Sequence, residues 1–167
     1  MSTSNSAKVV LGCGGLGASI SETDAPAYLH NFRKHGFTDI DTAAAYPNEH
    51  PGLSEKLVAD AASWATISTK IFGFGEHALG KEKMTQSYEN SLNSLKGAKL
   101  DILYFHAPDP TVPLAESLEA VNGLYQQGKF ARFGISNYPP EDVEEMISIC
   151  EAKGEVQVSI CGILEYC

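Results

Sequence analysis

The chain has 167 residues, of which 43% are hydrophobic and 20% are charged, and its formal net charge is −9. This composition is typical of a globular domain with one hydrophobic core, and the acidic balance without a basic stripe argues against a nucleic-acid-binding surface. No apolar run approaches the roughly 18 residues of a membrane span, and the start "MSTSNSAK" lacks the apolar stretch of a secretory signal, so we expect a cytoplasmic protein.

Strand and helix patterns alternate from one end of the chain to the other. The predicted strands contain, in chain order, the segments KVVLGCG, FTDIDTA, WATISTK, KLDILYFHAP, ARFGISNY and VQVSICGI. Helical spacing of apolar residues predicts helices between them over 21–36, 53–62, 84–95, 111–124 and 139–154. Thr111 is predicted to cap the fourth helix, with Pro113 in its first turn. The alternation predicts βαβ units and a parallel sheet in one domain, 1–167.

The four cysteines give no sign of a metal site. Cys13, Cys150, Cys161 and Cys167 form no Cys-x-x-Cys pair, so neither zinc nor a redox motif is indicated. We expect reduced thiols, some of them in the core, with Cys167 at the end of the sequence exposed and reactive.

Two α/β architectures fit this pattern, a barrel and an open doubly wound sheet. The segment from Gly12 to Gly17 formally matches the G-x-G-x-x-G dinucleotide fingerprint, with Asp39 and Asp41 about 20 residues further on. In that fingerprint the third glycine begins the helix, whereas here "ASISETDAP" intervenes, so a pyrophosphate would lose its place at the helix N-terminus. A strand-exit loop is the better interpretation of these glycines.

Polar residues at the ends of successive strands favour the barrel. Asp41, Lys70, His106 and the pair Ser136 and Asn137 all fall at predicted carboxyl ends. Taken singly, each residue has an ordinary structural explanation: a turn aspartate, a solvated lysine or a buried histidine. In a barrel, however, these ends converge on the face where active sites form.

Three of these residues, together with Tyr46 in the loop after the second strand, predict a hydride-transfer site. A tyrosine that donates a proton near neutral pH needs help, because its free pKa is about 10. A nearby ammonium lowers that pKa, a carboxylate holds the ammonium, and an imidazole orients a carbonyl oxygen. Tyr46, Lys70, Asp41 and His106 supply one group for each task.

The motifs around these residues resemble a known family. "DIDTAAAY", "ISTK", "LYFHAPD" and "GISNY" are similar, in order and spacing, to motifs of the aldo-keto reductases from about Val9 to Tyr138. The stretch from Tyr104 to Tyr138 is especially similar to the aflatoxin-aldehyde-reductase branch. The resemblance implies a TIM-barrel (β/α)8 fold, the cofactor NADPH/NADP+ and a small-molecule carbonyl substrate.

The resemblance also implies a role for each site residue. Tyr46 would be the general acid that protonates the carbonyl oxygen, Lys70 would lower its pKa, Asp41 would pair with Lys70, and His106 would orient the carbonyl. Cofactor contacts would come from Ser136, Asn137 and Gln157 to the nicotinamide, and from the strand exit at Gly12 and Cys13.

The chain departs from the family in length. A complete barrel needs about 250 residues, and only six strands are predicted here, so we expect an incomplete barrel that lacks strands seven and eight. In the family, those regions supply an aromatic residue to the nicotinamide and basic residues to the adenosine phosphate. After Leu100 the only basic residues are Lys129, Arg132 and Lys153, which leaves cofactor binding in question.

Two functional interpretations therefore stay open, together with the possibility that the sequence is a fragment. One is an NADPH-dependent reductase of aldehydes or ketones. The other is a non-catalytic truncated reductase that acts as an oligomerisation or interaction partner, or is an inactive relic. The open edges of strands one and six, and inward-facing Val, Ile and Leu without partners, predict self-association.

Overall fold

The computed structural model describes residues 8–162 and contains the six strands and five helices that the sequence predicts. In chain order they are β1 (Val10–Gly12), α1 (Ala25–Lys34), β2 (Asp39–Asp41), α2 (Leu53–Ala61), β3 (Thr66–Ile71), α3 (Lys81–Ser94), β4 (Leu100–Phe105), α4 (Leu114–Gln126), β5 (Phe130–Ser136), α5 (Pro140–Lys153) and β6 (Val158–Gly162). Within the described range, none of these helices combines the length and apolarity that a membrane crossing requires.

The strand order decides between the two candidate architectures. All five strand pairings are parallel, and the sheet runs β1-β2-β3-β4-β5-β6. A doubly wound dinucleotide-binding sheet places its first strand in the middle, whereas a barrel places each strand beside its predecessor. The predicted partial barrel is confirmed, with β1 and β6 at the sheet edges in the described part of the chain.

The two faces of the sheet have different chemistry. Register pairs Thr69 with Leu103, and Leu103 with Phe133, so these side chains share one face. That face meets the helices, because the Thr69 hydroxyl donates a 2.6 Å hydrogen bond to Glu55 of α2. The buried core lies between this face and the helices; it includes Leu29, Val58, Met84, Leu118 and Met146 from the helices and Ile40, Ile71, Leu103, Phe105 and Phe133 from the strands.

The opposite, concave face carries the polar side chains near the carboxyl ends of the strands. Register places Asp41 beside Ser68, and Lys70 beside Tyr104 and then Gly134. This face, which is the interior of a closed barrel, is polar or glycine at these positions. Val10, which pairs with Asp39, and Ile102, two residues before Tyr104, also share this face, so the expected inward-facing Val and Ile lie beside the polar positions.

The prediction that Thr111 caps the N-terminus of α4 is wrong. Helix α4 has Pro113 at its N-cap and no side-chain capping bond. Thr111 instead donates to the Asp109 carboxylate at 2.5 Å and accepts the backbone N–H of His77 at 2.8 Å. Asp109 also accepts the N–H of Leu79 at 3.0 Å. The two residues therefore anchor the β3–α3 loop, which passes over the carboxyl edge of the sheet.

Two of the four cysteines lie in the core, which agrees with the expectation that some of them do. Cys13 and Cys150 are buried, free thiols, and burial raises the pKa of Cys13 to about 12, with a further rise from Asp41. Neither thiol is therefore reactive near neutral pH. The side chains of Cys161 and Cys167 lie outside the described residues.

Candidate active site

The four predicted catalytic side chains lie together at the carboxyl edge of the sheet. Asp41 ends β2, Lys70 is the penultimate residue of β3, and His106 directly follows β4. Tyr46 lies in the loop between β2 and α2, which returns over the same edge. The proximity that the sequence predicts is thus present.

An ion pair forms the base of the site. Lys70 is only 4% exposed, and its ammonium group is paired with the Asp41 carboxylate and donates to the backbone oxygen of Thr42 at 2.9 Å. Burial raises the pKa of Asp41, while the charge and hydrogen bond of Lys70 act in the opposite direction. A buried ammonium needs such partners, since an unpaired charge in this position would be strongly destabilising.

Tyr46 connects the ion pair to the histidine. The Lys70 Nζ atom lies 5.3 Å from the centre of the Tyr46 ring, and the Tyr46 and His106 rings meet edge to face with centroids 5.3 Å apart. Gly14, in the loop after β1, also lies against the ring, where a Cβ atom would be 3.7 Å from two of the Tyr46 ring carbons. The phenol is therefore held between a cation, an imidazole and the first loop.

His106 is buried and uncharged at neutral pH. Burial, together with the nearby Lys70, lowers its pKa to about 4. Its Nδ1 atom is buried and makes no hydrogen bond to any residue in 8–162. Its ring also contacts Phe74 edge to face, with centroids 5.0 Å apart. A neutral imidazole carries one N–H donor, which suits hydrogen bonding to a carbonyl oxygen.

The two predicted nicotinamide-binding residues lie beside His106. Ser136, at the end of β5, is buried, and Asn137 has a left-handed φ of 63°. The Asn137 amide donates to the His106 backbone oxygen at 2.9 Å and to the Ser136 hydroxyl at 3.1 Å. These bonds fix both polar side chains at the edge where the catalytic group lies.

The strand-one exit also adjoins this group, but through its backbone. Gly12 pairs with Asp41 in the sheet, and the Cys13 N–H donates to the backbone oxygen of Asp41 at 2.9 Å. The Cys13 side chain belongs to the core. Helix α1 begins only at Ala25, so the glycine segment is a loop, as the sequence interpretation expected.

Gln157 does not join the site. It precedes β6, whereas Gly162 at the far end of β6 pairs with Ser136. Five residues of extended chain separate the two positions by roughly 16 Å. Gln157 is exposed, and its amide donates to the backbone oxygen of Glu155. The assignment of Gln157 as a nicotinamide contact is therefore corrected, because the register puts it at the amino edge of the sheet.

Several residues of the site were not identified from the sequence. Phe74, which is 49% exposed, contacts both Phe72 and His106 and forms an aromatic wall beside the imidazole. Tyr104 faces the same side as Lys70, and its ring centre lies 5.4 Å from Nζ. Tyr104 could have been identified from the sequence, since it lies on β4 two residues before His106.

Within 8–162, no group of three or more His, Cys, Asp or Glu side chains is arranged to hold a metal ion.

Comparison with known proteins gives a consistent result. The model of the aldo/keto reductase family matches residues 8–163. Human aflatoxin B1 aldehyde reductase member 4 is 31% identical over 152 residues, covering 87% of this chain and 45% of the relative. The chain spans about half the length of the curated relatives that it matches.

Solved structures of this family have the same fold. A thermostable aldo-keto reductase in complex with the inhibitor epalrestat superimposes with a TM-score of 0.78 at 26% identity, covering 93% of this chain and 57% of that one. An aldo/keto reductase from Klebsiella pneumoniae, in complex with NADP and acetate, gives a TM-score of 0.70 at 30% identity, covering 81% and 47%.

Proposed function

Because this chain belongs to the aldo/keto reductase family, we propose that it reduces the carbonyl group of an aldehyde or ketone to an alcohol, with NADPH as the hydride donor. The observation that carries the proposal is the contact of Tyr46 with both Lys70 and His106 at one edge of the sheet. This arrangement provides a proton donor, a cation and a neutral hydrogen-bond donor within one small volume.

In this proposal each side chain acts on the carbonyl oxygen or on its proton donor. Tyr46 gives its phenolic proton to the oxygen as negative charge develops there. Lys70 stabilises the phenolate that remains, because its ammonium lies next to the Tyr46 ring and is itself held by Asp41. His106 stays neutral and donates a hydrogen bond that orients the carbonyl.

The nicotinamide end of the cofactor fits the residues present. NADPH supplies the hydride when it is bound. Ser136 and Asn137 offer a hydroxyl and an amide at the carboxyl edge, and an amide oxygen can accept a hydrogen bond from a carboxamide N–H. Gly12 adds no steric barrier, since a Cβ atom there would meet nothing within 4 Å.

The test combines cofactor binding with turnover. NADPH is titrated into the chain while its fluorescence is followed, and reduction of 4-nitrobenzaldehyde is measured by loss of NADPH absorbance. We expect saturable binding and turnover, and Tyr46→Phe should keep the binding while abolishing the turnover. Tyr28→Phe is the matched control, because Tyr28 is an exposed tyrosine on α1 and its loss should leave both unchanged.

Two results would contradict the reductase proposal. One is an absence of NADPH binding at millimolar cofactor. The other is equal turnover by wild type and Tyr46→Phe, which would show that the phenol donates no proton in the reaction.

A non-catalytic interaction partner is the second candidate, and the sheet edges favour it. In the structure of 8–162, β1 and β6 each pair on one side, and the β1 edge exposes 44% of Val9 and 49% of Val10. Unpaired parallel edges of this kind promote strand addition. We propose self-association through these edges, which light scattering after gel filtration measures; a concentration-independent monomer would exclude it.

A further inference from the structure

We propose that Tyr104 is a positioning residue that holds the Lys70 ammonium group against Tyr46. The inference rests on the proposed function only for its consequence in turnover, since the contact itself is a property of the folded chain. It concerns a side chain that lies beside the ammonium rather than at the reacting carbonyl.

The register of the sheet creates the contact. Lys70 on β3 and Tyr104 on β4 are direct cross-strand partners, so their side chains leave the concave face next to each other. The Tyr104 ring centre lies 5.4 Å from Nζ, and the Tyr46 ring centre lies 5.3 Å from the same atom. Both distances are within the range of a cation–π interaction. The ammonium is thus bounded by two rings.

Gly134 makes room for the Tyr104 ring. On β5 it is the direct partner of Tyr104, and a Cβ atom at this position would lie 2.4 Å from two ring carbons of Tyr104. The Cδ1–Cε1 side of the ring therefore occupies the space that a side chain at position 134 would fill. Without this space, the ring would have to move off the concave face at the point where it meets Lys70.

The contact matters because lysine has a long, flexible side chain. Asp41 and the Thr42 carbonyl hold the ammonium from the β2 side, and neither restrains it from the β4 side. The Tyr104 ring closes that side and leaves the ammonium between Asp41 and Tyr46. Burial raises the pKa of Tyr104 to about 12, with a further rise from Asp41, so its hydroxyl stays protonated and adds no competing negative charge.

The experiment observes Lys70 without relying on turnover. The chain is labelled with 13C,15N-lysine, and the Lys70 ε-methylene signal is assigned by its loss in Lys70→Arg. In wild type we expect ring-current-shifted ε-protons with nuclear Overhauser contacts to Tyr46 and Tyr104. Tyr104→Phe should keep the Tyr46 contact, while Tyr104→Leu should lose most of it. Tyr125→Leu, on α4, is the matched distant control.

Folding and function are kept separate from this readout. Amide spectra verify that each variant is folded, and Tyr104→Met, whose unbranched apolar side chain adapts to the space without a π face, replaces Tyr104→Leu if that variant does not fold. With turnover present, Tyr104→Leu should lower kcat roughly tenfold with little change in KM, whereas Tyr104→Phe should stay within about twofold.

The outcomes are distinct. An unchanged Lys70–Tyr46 contact in folded Tyr104→Leu or Tyr104→Met overturns the positioning role, whatever the turnover. A lost contact in a chain whose wild type shows no turnover supports the positioning role and counts against the reductase proposal alone.

Discussion

Gly134→Ala tests the packing of the concave face directly. The added methyl group would lie 2.4 Å from Cδ1 and Cε1 of Tyr104 and 3.1 Å from Cγ2 of Ile102. Ordinary carbon contacts lie at about 3.5–4.0 Å. The new methyl group and the Tyr104 ring therefore cannot both keep their places.

The magnitude follows from how the clash is relieved. Over-packing in a closed core destabilises by about 1–3 kcal/mol. Tyr104 is half-buried on an open face, so its ring turns away from β5 instead of distorting the backbone. We expect Gly134→Ala to lower the free energy of unfolding by about 1–2 kcal/mol, mainly through lost contacts of the ring.

The assay is urea unfolding followed by circular dichroism, in a double-mutant cycle with Tyr104→Leu. Because leucine leaves space beside residue 134, the alanine should cost less in the Tyr104→Leu background, by at least about 0.5 kcal/mol. Gly123→Ala, on α4 where a Cβ atom meets nothing within 4 Å, is the control and should not destabilise. Equal effects of Gly134→Ala in both backgrounds would refute the clash with Tyr104.

Two further predictions concern buried titratable groups. Burial raises the pKa of Glu55, so ionisation of this carboxyl group lowers the stability of the fold as pH rises. Glu55→Gln should therefore match or exceed wild-type stability at pH 7. Glu55→Ala leaves the Thr69 hydroxyl without its acceptor and should lower the free energy of unfolding by about 2–4 kcal/mol. Equal losses of stability in Glu55→Gln and Glu55→Ala, measured by urea unfolding, would contradict this. The pKa of His106 is lowered from 6.5 to about 4, so the unfolded chain binds more protons between these values, and stability should fall by up to about 3 kcal/mol from pH 7 to pH 4. His106→Asn should flatten this part of the pH profile, and an unchanged slope would assign the loss to other groups.

Much of the fold was predictable because its signals are local. Apolar spacing and turn residues gave all six strands and five helices in order. The errors arose where a local signal had a non-local competitor. Thr111 has the chemistry of a helix cap, but Asp109 and His77 bind its hydroxyl instead. Gln157 has the chemistry of an amide ligand, but it directly precedes β6 and so lies at the amino edge of the sheet, opposite the candidate site.

Local sequence patterns were enough to identify the chemical groups at the carboxyl ends of the strands, including Asp41, Lys70 and His106, because strand ends follow from local signals. Which of those groups share a face of the sheet could be seen only in the folded chain. Strand order and register set that, since shifting a strand by one residue turns its side chains to the other face. The contact of Lys70 with Tyr104, whose ring fills the space left by Gly134, involves three strands and depends on that register.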